Sequence, residues 1–287
     1  MWDGGTFSHR MVTCVYARTF WRVSALASRV MVTNVYGSEI PDSDAFTRER
    51  AKDINAMGRD EICVRRRWNS SPALRSVKLQ VPAANGCGVP IIRLPDDILT
   101  LQEIIWSLRP GFIIETGIAR GGSLLLSASL MHMANVQPLV LGMDIQILKH
   151  ASDSISGSRF AEEITLWEGD SASPNAGLVA PTFIESAPAG RPGVLILDSD
   201  HSHSHVSGEL EMLAGLMPIE SLVLVADTLI EEFGEDHYPD RPWGRGNSPM
   251  TAVHEFVASH GSYVVSERWA RKGLVTEFRD GILQRIN

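Results

Sequence analysis

The sequence predicts an α/β fold. We expect a Rossmann-like, mostly parallel sheet covered by helices and finished by a C-terminal antiparallel hairpin, with a helical extension ahead of it. Three observations predict this. From Pro95 onward, short apolar runs alternate with amphipathic stretches, and strands joined by helices lie parallel with both faces buried. The first run, Phe112-Ile-Ile-Glu115, enters a turn carrying Gly117, Gly121 and Gly122 before an apolar helix. The tail then changes character, with closely spaced strand-like runs around Asp280-Gly281, a hairpin signal.

The elements follow in order. Residues 1–94 form the extension, mostly helical and irregular. From Met11 to Tyr36, Arg18, Arg22 and Arg29 fall near one face at helical spacing, with Val15, Phe20, Leu26 and Val30 available for burial. This stretch is either an Arg-rich targeting segment or a helix that packs on the core, covers the substrate or joins a second subunit. The last option makes a homo-oligomer the expectation. Residues 39–61 read as helix after Pro41, and residues 62–95 as irregular, with turn signals at Asn69-Ser-Ser-Pro72 and Pro82-Ala-Ala-Asn-Gly86.

Residues 95–287 form the second domain. Pro95–Trp106 reads as a capped amphipathic helix, stopped by Arg109-Pro-Gly111. Strands are expected at Phe112–Glu115, Leu139–Asp144, Ile164–Trp167, Val194–Asp198 and Leu222–Asp227. Helices are expected at Gly122–Met133, Asp153–Glu162, Asn175–Ser186, His203–Leu216 and Ser248–His260. The tail adds strands at Ser262–Glu267, Leu274–Phe278 and Ile282–Ile286. This order matches the architecture of class I methyltransferases, and the alternation alone fits other Rossmann-like folds as well.

Composition narrows the function classes. A net charge of −8 argues against nonspecific nucleic-acid binding. It is unevenly spread, since residues 1–80 carry roughly five more basic than acidic side chains. There is no apolar run long enough for an integral membrane segment. Cys14, Cys63 and Cys87 are odd in number and far apart, which favours a reducing cytoplasm over a disulfide framework or a thiolate metal site.

Four clusters at strand carboxyl ends, where open α/β sheets bind ligands, carry the chemistry. The first is Glu115 with Gly117, Gly121, Gly122 and Ser123. Glycines permit close backbone approach, and the free N–H groups of a helix start favour polar or anionic groups. An acid at the strand tip disfavours polyphosphate. The best candidate cofactor is S-adenosylmethionine, which has a charged amino-acid end and no phosphates. The second is Asp144, spaced to accept from ribose hydroxyls or to cap a helix. The third is Glu168-Gly-Asp170-Ser171, either an adenine contact or a helix cap. The fourth, Asp198-Ser-Asp200-His201-Ser-His203-Ser-His205, is the densest titratable group. His201 suits proton abstraction from a hydroxyl. Asp198 and Asp200, with Asp227 from the next strand, either orient it or bind a metal. Two carboxylates suit Mg²⁺, whereas the three histidines suit Zn²⁺ or Fe. Ile230–Ser248 is longer than a crossover needs. It is either a lid, with Tyr238, Arg241 and Trp243 facing substrate and Gly244 and Gly246 as hinges, or a surface loop or subunit contact.

Together, Glu115-Thr-Gly-Ile-Ala-Arg-Gly-Gly-Ser123, Leu197-Asp-Ser-Asp-His-Ser-His203, Asp227-Thr228 and Arg241-Pro-Trp-Gly-Arg-Gly-Asn247 resemble the cephalosporin hydroxylase-like group, over roughly residues 95–286. That group has the class I methyltransferase fold and is related to macrolide-sugar and rhamnosyl O-methyltransferases. The resemblance implies S-adenosylmethionine at Glu115, Gly117, Asp144 and Asp170, Mg²⁺ at Asp198 and Asp227, and His201 as base. It also implies a hydroxylated, glycosylated small-molecule acceptor of secondary metabolism. One expected acid is missing, because the pair at the strand end reads Ala226-Asp227. Water, Asp200 or a substrate oxygen would fill its place. Two other functions stay open, a natural-product hydroxylase or oxygenase and a non-catalytic S-adenosylmethionine-binding partner protein.

Overall fold

A computed structural model describes residues 84–234, 238–270, 272–273 and 276–287. The helices expected within residues 1–83, and any role of theirs in oligomerisation, lie outside the described residues. Sequence order starts with a short antiparallel hairpin, β1 (Ala84–Gly86) and β2 (Val89–Ile91). Helix α1 (Pro95–Leu108) begins with proline in its first turn and has Asp96 and Asp97 there. Proline needs no amide partner at that point, and the acids oppose the helix dipole. Alternation then sets in: β3 (Ile113–Thr116), α2 (Gly122–Met133), β4 (Val140–Asp144), α3 (Lys149–Ser156), β5 (Ile164–Glu168), α4 (Ala176–Glu185), β6 (Val194–Leu197), α5 (His203–Leu213) and β7 (Leu222–Val225). Helix α6 (Pro249–Ser259) follows, started by a reciprocal Ser248–Thr251 capping box. Strands β8 (Tyr263–Val265) and β9 (Ile282–Arg285) close the chain.

The seven strands β3 to β9 form one sheet in the order β5-β4-β3-β6-β7-β9-β8. Pairing is parallel from β5 to β7, with Ile113 opposite both Val140 and Val194. Strand β9 runs antiparallel to both β7 and β8. Period-2 alternation divides the strand residues between two cores. Ile113, Val140, Val194 and Leu222 face α1, α2 and α3, while Ile114, Leu141, Leu195 and Val223 face α4, α5 and α6. Each such side chain, fully buried, contributes about 1.5–3 kcal/mol. The sheet order reverses between β3 and β6, and a cleft opens at such a switch point beyond the carboxyl ends.

Three expectations need correction. The helix expected at Asp153–Glu162 lies earlier, at Lys149–Ser156, because Gly157 ends it and Phe160 turns back into the core. The Asp280-Gly281 turn does not join two paired strands at 274–278 and 282–286. Residues 276–278 form no strand, and β9 pairs instead with β7 and β8, across the long 266–281 connection. The hairpin β1–β2 and Arg93, assigned to the extension, pack on the sheet domain. A Cβ on Gly86 would lie 2.0 Å from the Gly122 carbonyl oxygen, and one on Gly122 would lie 2.4 Å from that of Pro90. No helix among the described residues is long and apolar enough to cross a membrane.

Candidate active site

The turn after β3 is built for close approach. Gly117 has φ +82°, and a Cβ there would sit 1.9 Å from the Asp198 carbonyl oxygen. Only glycine fits both demands. Ala119 also has positive φ, +46°, a conformation that costs an ordinary residue about 1–2 kcal/mol. Asp144 holds the strained turn. Its Oδ2 accepts from the Ile118 amide at 2.7 Å and from that of Ala119 at 3.4 Å, and its Oδ1 accepts from the Gln146 amide at 3.0 Å. Asp144 caps no helix, since α3 begins after Leu148.

Two cavities open at the switch point, and they share Gly117, Ala119, Asp198 and Trp243 as a common wall. The first, about 350 Å³, brings together Glu115, Ser123, His201, Asp227, Tyr238 and Arg241. The second, about 570 Å³, is lined by Asp144, Asp170, Asp200, Ser171, Ser199 and His205, with no Lys or Arg among the described residues lining it.

In the first cavity, ligand atoms of Asp198, His201 and Asp227 lie within 4.8 Å of one another. His201 Nε2 is 3.1 Å from Asp227 Oδ2. Asp227 sits beyond β7 with φ +58°, a left-handed conformation that Asp tolerates better than most residues and that concentrates at functional sites. The Trp243 and His201 rings meet in a T-shaped arrangement with centroids 5.0 Å apart, and the Arg241 guanidinium lies 5.2 Å from the Trp243 ring. Asn247 anchors this segment. Its Nδ2 donates to the Pro242 carbonyl at 2.6 Å, and its Oδ1 accepts from the His203 amide at 2.9 Å. Asp200 is not part of the group of three. It turns to the second cavity and accepts from the Ser202 amide at 2.9 Å, at the start of α5. His203 is held by Thr251 and Glu255. Asp170 accepts from the Ala172 amide at 2.9 Å on the second cavity's rim.

Two features escaped the sequence reading. The first is a buried charge cluster. The Arg93 guanidinium reaches Asp198 at 3.1 Å, Glu277 at 3.5 Å and Glu115 at 3.7 Å, with its side chain 1% exposed. Burial alone would lower its pKa, but Glu277, Glu115, Asp198 and Asp97 outweigh that and raise it. Burial pushes Glu115 up to about 7, against the pull of Arg93 and of the Ser123 hydroxyl, which donates to it at 3.0 Å. The second feature lies under the other cavity. Glu209, fully buried, accepts from Ser171 at 2.6 Å and Ser199 at 2.7 Å, and its hydrogen bond to His205 raises the histidine pKa.

The donor set fits a divalent ion. Two carboxylates and an imidazole can all reach one point, though Ala226 supplies no ligand and Arg93 already engages Asp198.

A family model described as rhamnosyl O-methyltransferase/CmcI matches residues 83–286. A rhamnosyl O-methyltransferase of Mycobacterium bovis is 28% identical over 162 residues, which are 56% of this chain and 60% of that protein. One from Mycobacterium leprae is 28% identical over 143 residues, 49% of this chain and 58% of that protein. The chain therefore spans about three fifths of the length of these curated relatives. A solved apo structure of CmcI aligns with a TM-score of 0.51 at 18% identity, covering 77% of this chain and 83% of that one. It shows a common fold.

Proposed function

The chain belongs to the rhamnosyl O-methyltransferase/CmcI family, and from that premise we propose that it is an S-adenosylmethionine-dependent O-methyltransferase. Its acceptor is a hydroxyl, of a sugar carried by a secondary metabolite, with His201 as general base and Mg²⁺ assisting. The observation that carries the reading is the wall of Gly117 and Asp198 shared by two cavities, one rich in hydrogen-bond acceptors and the other holding His201.

S-adenosylmethionine supplies an electrophilic methyl group on a sulfonium. The second cavity suits its nucleoside, because Asp144 and Asp170 accept from hydroxyl and amino groups and would repel phosphate. Glu115 and Ser123 suit the ammonium end across the wall. The sulfonium would then lie beside Gly117, whose missing side chain lets the Asp198 backbone close up against the turn. A hydroxyl seated over His201 then faces the methyl group, and alignment of the two supplies much of the rate gain. As the oxygen takes the methyl and the sulfonium becomes a thioether, His201 takes the hydroxyl proton. Asp227, 3.1 Å from Nε2, stabilises the imidazolium that results. Asp198 and Asp227 would hold Mg²⁺, which would supply Lewis-acid activation of the acceptor hydroxyl. Tyr238, Arg241 and Trp243 cover the acceptor, with the Trp243 ring placed to stack on a sugar.

The relatives' names, rhamnosyl O-methyltransferase, support a sugar hydroxyl as acceptor. Mass spectrometry after incubation with S-adenosylmethionine and a panel of glycosylated natural products tests the reading. We expect a gain of one methyl group on an acceptor. A gain of one oxygen that needs Fe²⁺ and O₂ would make the chain an oxygenase. Tight cofactor binding without turnover on any acceptor would make it a binding partner.

A further inference from the structure

We propose that Arg93 is the internal counter-cation of the Asp198–His201–Asp227 cluster, and that it holds the affinity of the cluster for divalent cations low. This rests on the reading of that cluster as the ion-binding part of a methyltransferase site.

Arg93 follows the hairpin β1–β2, which rests on α2 through a glycine-to-glycine backbone contact. Its guanidinium is therefore delivered from inside the protein by a tightly fitted element. It lies 5.1 Å from the Phe278 ring, is bracketed by Glu115 and Glu277, and presents Nη2 to Asp198 Oδ2 at 3.1 Å. Asp198 is also a member of the group of three whose ligand atoms converge. An incoming cation must share that carboxylate with a fixed positive charge, in a partly buried place where repulsion is weakly screened. Arginine suits this task because its planar fork serves several carboxylates at once. The ion is consequently exchangeable, and its occupancy depends on the seating of the hairpin.

The test uses the full chain and Mn²⁺ alone, with free Mn²⁺ measured by electron paramagnetic resonance. Arg93→Gln removes the charge, and Arg93→Lys keeps it. Arg93→Gln should bind Mn²⁺ about tenfold or more tightly than the wild type, and Arg93→Lys should stay near the wild type. A purely structural Arg93 would give the opposite sign, weaker binding on loss of the side chain. Arg93→Gln binding no tighter, or Arg93→Lys binding as tightly as Arg93→Gln, overturns the proposal. Should Arg93→Gln fail to fold, the wild type decides. The ¹⁵N–¹H resonance of the Arg93 Nε group, identified by its loss in Arg93→Lys, should shift as Mg²⁺ saturates the site. A resonance unmoved at saturation overturns the proposal. Calorimetric binding of S-adenosylhomocysteine to the same samples is scored separately. Its absence would sink the methyltransferase reading and leave the Mn²⁺ and Mg²⁺ results to judge Arg93.

Discussion

His201 and Glu115 bear the sharpest consequences at the scale of single residues. If His201 takes the acceptor proton, His201→Ala should lower kcat by about 10²- to 10⁴-fold. Affinity for S-adenosylhomocysteine should stay near the wild-type value, because in this reading Glu115 and Ser123 of the first cavity and Asp144 and Asp170 of the second hold it, not His201. Equal loss of both would mark the imidazole as structural. Glu115 gives a pH dependence. Burial holds its pKa up to about 7, so ionised Glu115 rises through neutrality, and an ammonium-bearing ligand favours the ionised form. Affinity for S-adenosylhomocysteine should therefore rise from pH 6 to pH 8, and Glu115→Gln should flatten that slope. Stability has the opposite sign. The folded state holds this proton more tightly than the unfolded chain, so stability falls as pH rises from the ordinary carboxylate range to about 7. The sequence marks Glu115, Asp198, His201 and Asp227 because each ends an apolar run or follows one closely, which in a parallel sheet means the ligand-binding end. Arg93 and Glu277 carry no such local mark. They are 3.5 Å apart only because the hairpin and the tail converge beside β3, and one-dimensional periodicity does not report that convergence.

At the scale of elements, the seat of the hairpin and the segment after β7 govern the site. Gly122→Ala would press a methyl group against the Pro90 carbonyl, 2.4 Å away. Backbone cannot yield as a side chain does, so we expect a loss of at least about 1–3 kcal/mol, or several degrees in Tm at this size. Gly215→Ala, with nothing within 4 Å of its Cβ, is the control and should leave Tm within a degree or two. Equal Tm values for the two variants would contradict this seating. In the segment that carries Trp243, the indole and the His201 ring meet in a T-shaped arrangement. Trp243→Ala should raise KM for the acceptor more than it lowers kcat, as a covering and stacking surface would. A change confined to kcat would assign the ring to orienting His201 instead. Helix and strand order was legible from Pro95 onward because buried parallel strands read as plain apolar runs. The tail was less legible. The Asp280-Gly281 signal suggested a local hairpin, whereas β9 inserts between β7 and β8 through long-range pairing, and a turn dipeptide does not specify its partner strand.

Across the whole molecule, the switch between β3 and β6 explains why the site lies where it does. One crossover series builds outward to β5, the next returns to β6, and the parting of the two leaves the cleft. Nucleoside-compatible groups then fall on the β4–β5 side, and the Asp198–His201–Asp227 group falls on the β6–β7 side. We propose that residues 1–94, apart from the hairpin and Arg93, act in oligomerisation or in covering the substrate. The central claim is that donor and acceptor meet at the wall between the two cavities, and a crystal structure with S-adenosylhomocysteine tests it most directly. The account predicts adenosine beside Asp144 and Asp170, the amino group near Glu115, and the sulfur at Gly117 facing His201. A ligand lodged away from Asp198, His201 and Asp227 would contradict it.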